Sequence, residues 1–184
     1  MLYRTFPLCG RRALQLFSAY VLPDHQGLGL AFTMNARIVF RELSRHPLAH
    51  HYVVAPMMVP IALRGWRDRI AHGRWFYPRM PGSELPSDSL THAATTAASQ
   101  HYSTSTFDAR HGVLHGLTPP RDRPPADSGD DAVDRHFRDH VDPHRGDAVL
   151  MVVDASAAMV LASLGRLATA APRAWSARRR GPRP

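Results

Sequence analysis

The stretch Ala13–Phe40, ALQLFSAYVLPDHQGLGLAFTMNARIVF, constrains the fold more than any other part of the chain. Residues 13–22 are mostly apolar and end at Pro23, which cannot donate to a ladder, so they predict a strand. From Leu30 to Arg45 the period changes. Phe32, Ala36, Val39 and Leu43 fall on one helical face, and Arg37, Arg41 and Arg45 on another. The dipeptide His46-Pro47 stops that helix. A strand, a short turn and a helix in succession predict an α/β protein. The turn, Gln26-Gly27-Leu28-Gly29-Leu30-Ala31, admits two readings. A helix N-terminus offers unpaired N–H groups and a positive dipole end, and small residues let an anion approach the backbone, so a pyrophosphate binds there without any Lys. The alternative is an ordinary bend in which glycine serves conformation alone.

The rest of the chain supplies more of the same elements. His50–Val59 is a second strand interrupted by Pro56, Ile61–Gly73 a short helix, and Arg74–Pro78 a brief aromatic strand or turn. Residues 79–131 hold few large apolar side chains and many breakers, and predict an irregular, partly disordered segment with one short element at HGVLHGL. Order is expected again over residues 132–171. There DAVDRHFRDHV is a helix, DAVLMVVDA a strand, and AAMVLASLGRLA a helix covering the sheet. Residues 172–184 are expected to be a disordered Arg/Pro tail.

Composition narrows the function. The formal charge is +8, yet every one of the 23 basic residues is Arg and they are scattered. The only dense cluster is the tail RRRGPRP, so nucleic-acid binding is not expected. A single cysteine, Cys9, rules out an internal disulfide and a Cys-based zinc site. The N-terminus lacks the apolar core of a signal peptide, and no apolar run reaches the length of a membrane span. A cytoplasmic protein without a membrane partner is the expectation.

Taken together, Val21, Pro23, Gln26, Gly27, Gly29 and Ala31 spell V-x-P-x-x-Q-G-x-G-x-A, which resembles the acetyl-CoA-binding motif of the GNAT superfamily of acyl-CoA-dependent N-acetyltransferases. The resemblance covers about residues 15–60. It implies a partial GNAT-like mixed sheet flanked by helices, with residues 1–78 as the acyl-CoA-binding core. It also implies that Val21 and the segment Gln26, Gly27, Leu28, Gly29, Leu30, Ala31 contact acetyl-CoA or another acyl-CoA as co-substrate. The next strand, around His51–Val54, would splay away to open the cofactor cleft. The implied activity is acyl transfer to an amine. Only about a dozen residues precede the first strand, so the front half of such a fold is expected to be missing. A catalytically inactive remnant that binds cofactor or a partner is therefore the alternative.

Catalytic residues are harder to assign. The strand before the loop carries Gln15, Ser18 and Tyr20 but no carboxylate to act as general base. Tyr77 is a weak candidate for a general acid, and its RWFYP setting equally suits a packing aromatic. His136, His140 and His144 recur every four residues, and His111/His115 and His46/His50 repeat that spacing. His136 and His140 would share a helical face suited to zinc, but three such pairs among 12 histidines read as coincidence, and no metal site is expected. No G-x-S-x-G elbow supports a serine hydrolase. The acceptor, the acyl length and the oligomeric state are not encoded in any recognisable motif.

Overall fold

A computed structural model describes residues 2–18, 30–47, 49–69, 73–122, 124–156 and 159. The chain is α/β, with a mixed seven-stranded sheet flanked by helices. Strands β1 (Leu2–Leu8) and β2 (Arg11–Ser18) form an antiparallel hairpin. Cys9 and Gly10 close it with φ of 49° and 72°, as a two-residue primed turn demands. Helix α1 (Leu30–Arg45) then crosses over to β3 (His51–Met57), which lies parallel to β2. Helix α2 (Pro60–Arg67) and the short β4 (Phe76–Tyr77) follow. Next come α3 (Asp88–His101), β5 (Thr106–Asp108), β6 (Val113–His115), α4 (Asp131–His140) and β7 (Ala148–Asp154). The strand order is β1-β2-β3-β7-β6-β5, with β4 on the same edge of β7 as β6. Strand β7, AVLMVVD, is central and covered on both faces, which is why it reads as a continuous apolar run.

Side-chain alternation divides the core. On one face Leu14, Leu16, Val53 and Met151 pack with Ile38, Val39 and Leu43 of α1, Leu63 of α2, and Val133 and Phe137 of α4. On the other, Ala13, Tyr52, Val54, Leu150 and Val152 pack against α3. Helix α3 and β5 depart from the irregular segment expected of residues 79–131, whereas β6 falls within the short element expected at HGVLHGL. The reason lies in alanine. Leu90, Ala93, Ala94, Ala97 and Ala98 are all buried and fall at steps of three, one, three and one, forming one helical stripe. Alanine is the strongest helix former, and a stripe of small side chains lets α3 lie close on the sheet. Ser87 caps this helix by accepting from Leu90 N at 3.3 Å. The Ala-rich C-terminal helix expected after Asp154, and the Arg/Pro tail, lie outside the described residues apart from Met159.

Candidate functional site

The β2–β3 ladder runs from Arg12–His51 to Gln15–Val54 and ends there. Both strands continue. The last residues of β2 stay with β1, through Leu16–Tyr3 and Ser18–Leu2. Those of β3 stay with β7, through Ala55–Met151, Pro56–Leu150 and Met57–Val149. The sheet therefore opens between its halves at the carboxyl ends of the parallel pair. Pro56, lacking an N–H, suits a strand that has lost a neighbour on one side. Because α1 returns antiparallel to β2 and β3, its N-terminus lies at this open end, and its first turn carries no acidic residue. Of the residues that the glycine motif nominates, Leu30 and Ala31 open α1, with Leu30 exposed. Val21, Gln26, Gly27, Leu28 and Gly29 lie outside the described residues.

A polar network sits beneath the opening on the α3 face. Gln15, at the last paired position of β2, is 1% exposed. Its Oε1 accepts from Arg4 Nε at 2.7 Å, and its Nε2 donates to the Tyr102 hydroxyl. Arg4 also reaches His101 Nδ1 at 3.2 Å, and the His101 ring packs on Phe6. Burial pushes the Tyr102 hydroxyl up to about 12, so it remains a phenol at neutral pH. Burial, then Arg4, pushes His101 down, which keeps its ring neutral. The signal for this network was a glutamine at a position where the alternation of Ala13 calls for an apolar residue. The nearest buried carboxylate on α1, Glu42, is taken by arginines: Arg45 at 3.0 Å, Arg12 at 3.8 Å and Arg41 at 3.9 Å.

Tyr77 lies elsewhere, in β4 against Val152 of β7. It is buried beside Phe107, its hydroxyl donates to Ala109 O at 2.7 Å, and burial pushes its pKa up. The hydroxyl is committed to the backbone. A cavity of about 600 Å³ lies past the end of β3, walled by Met58, Pro60, Arg121, Phe137 and Val141. Of the three aspartates on its wall, Asp127 is exposed and lies 3.8 Å from Arg138, and the other two are already engaged. Asp134 accepts from Ser128, Gly129 and Asp130 N–H groups, and Asp147 from His115, Gly116 and Asp142.

The histidines do not stay apart. His136 and His140 share a face of α4, with ring centroids 5.2 Å apart, and His111 stacks on His140 at 3.8 Å. His136 is held down to about 4 by burial, then by His140 and His111. Spacing alone showed the pair on α4; that His111 joins it is a product of the fold. His144 lies in a separate turn, Pro143–Arg145, capped by Asp142, and His115 pairs with Asp147 at 2.9 Å. No helix among the described residues is long and apolar enough to cross a membrane. No family model, curated protein or solved structure matches this chain.

Proposed function

We propose that this protein binds an acyl-CoA at the open end of the β2–β3 pair and transfers its acyl group to an amine, as the resemblance to the GNAT superfamily implies. The observation that carries this reading is the end of the ladder at Gln15–Val54, on the strand that precedes the glycine-bearing turn in the sequence. A cofactor arm that carries amides needs a strand edge to pair with, and Leu16–Ser18 and Ala55–Met57 each have one edge free of the other strand. Pyrophosphate would take backbone N–H groups from Gly27 to Ala31 and the α1 N-terminus. The thioester carbonyl would then face the opening. The attacking amine forms the C–N bond, the C–S bond breaks, CoA leaves as thiolate, and the amine's proton passes to solvent or to that thiolate. Gln15, not a carboxylate, occupies the last paired position of β2. Catalysis therefore rests on positioning and on an amine that arrives neutral.

A second reading, a cofactor-binding or interaction protein without turnover, is favoured by one observation. The Gln15 amide and the Tyr102 and Tyr77 hydroxyls are all committed to internal hydrogen bonds. Thiol release from acetyl-CoA across a panel of amines at pH 8–9 separates the two readings. Release that depends on amine and protein supports transfer. Saturable CoA binding with no release supports the second reading.

A further inference from the structure

Three imidazoles meet where the β5–β6 turn packs on α4. His136 and His140 stand one turn apart on the helix, with ring centroids 5.2 Å apart. His111 of the turn lies flat on His140, at 3.8 Å and 16°. Neutral rings stack at that distance, but charged ones repel, and more strongly where water is excluded. The groups around the cluster do not offset such charge. Asp108 spends its carboxylate on His111, 2.6 Å from Nδ1, and on the N–H groups of Arg110 and His111. Asp139, beside His140 on α4, is exposed to water, and Arg110 adds a positive charge from the turn. Among the described residues the histidine–carboxylate pairs are His111–Asp108 and His115–Asp147, so His136 and His140 have none.

His136 is the costliest of the three to charge. It is 4% exposed, and its Nε2 has no hydrogen-bond partner among the described residues, so a proton placed there has nothing to donate to. Burial, then His140 and His111, hold it down to about 4, and burial, then His111, lowers His140 as well. A free imidazole titrates near about 6.5. The neutral form is the one that packs, so the contribution of His136 is complete above about pH 6.5 and is lost as pH falls toward 4. The turn itself is tied down on its far side, where Tyr77 donates to Ala109 O and Leu150 N to Gly112 O, both at 2.7 Å. What acid frees is therefore α4, whose Phe137 and Arg138 wall the cavity past β3. We propose that His111, His136 and His140 form an acid-released clasp, which holds α4 to the β5–β6 turn while the α4 pair is neutral and frees the helix when that pair takes up protons. His111, held by Asp108, supplies the fixed face of the clasp.

Amide hydrogen exchange on the full-length chain at about pH 7.5 and about pH 5, corrected for the intrinsic rate, tests the clasp. Exposing His136 takes its titration from about 4 to about 6.5, which favours opening roughly 30-fold at pH 5. Protection of the α4 amides should fall by about that factor on acidification, while the amides of α3, which carries no part of the cluster, keep theirs. The double variant His136→Phe/His140→Phe keeps two aromatic rings and removes their protons, with its folding checked by circular dichroism. In it the acid-dependent loss in α4 should vanish. The comparison of α4 with α3 in the native chain stands whether or not that variant folds. No loss of protection in α4, an equal loss in α3, or the same loss in the folded double variant would overturn the proposal.

Discussion

Gly146→Ala offers the sharpest test of how the loop after β6 is held. Gly146 ends the turn Pro143–Arg145 at φ 71°, and its carbonyl accepts from Thr118 N at 3.0 Å and Thr118 Oγ1 at 3.2 Å. A Cβ at this position would lie 1.7 Å from Thr118 O and 2.8 Å from its carbonyl carbon. That is far inside the roughly 3.5 Å of a comfortable contact, so the Thr118 backbone must leave. The left-handed backbone costs alanine about 1 kcal/mol. Losing both Thr118 hydrogen bonds costs about 1 kcal/mol each, for roughly 3 kcal/mol together. In a domain of this size the expected fall in Tm is about 6–12 °C. Gly82 is the control, with φ 76° but nothing within 4 Å of its would-be Cβ. Gly82→Ala should therefore pay the backbone term alone, about 2–4 °C. Thermal and urea unfolding of the two variants measure the difference. Equal losses would refute the claim that Thr118 closes directly on Gly146.

Gln15→Leu should destabilise by about 1–3 kcal/mol in urea unfolding, because it strands the Tyr102 hydroxyl and frees Arg4 from its acceptor. A loss below about 0.5 kcal/mol would mean that water or other groups replace the amide. Acid should act on the Arg67–Asp130 contact between α2 and the α4 cap. Arg67 Nη1 lies 2.9 Å from Asp130 Oδ1, and the guanidinium pulls this carboxyl down to about 2. The carboxyl's unfolded value is near 3.8, so the pair contributes fully above pH 4 and is lost as pH falls toward 2. Arg67→Met should cost about 1 kcal/mol at pH 7 and flatten the stability profile between pH 4 and pH 2. An unchanged slope in that window would show that other carboxylates set it.

The elements with one clear period were legible from residues alone. Helix α1 spans the Leu30–Arg45 that its spacing predicts, and β7 and α4 fall within their expected runs. Strand β1 was not legible, since Leu2–Leu8 has no clean alternation and becomes a strand by pairing with β2. Helix α3 was hidden because its buried stripe is mostly alanine, which a search for large apolar residues passes over. At the open end the local signals were Pro56 and Gln15. A proline inside a strand and a glutamine on an inward face each mark a place where sheet regularity gives way. The meeting of His111 with His136 and His140 had no local signal, because tertiary packing alone brings the β5–β6 turn to α4.

Titration calorimetry with acetyl-CoA and CoA, on the native chain and on Gly29→Glu, tests the central claim most directly. A carboxylate placed in the turn repels the pyrophosphate and puts a Cβ where the backbone should approach it. The account predicts saturable binding of both ligands to the native chain, weakened at least tenfold by Gly29→Glu in a protein whose unfolding curve is unchanged. Absence of binding to the native chain, or equal affinity in the variant, would contradict it.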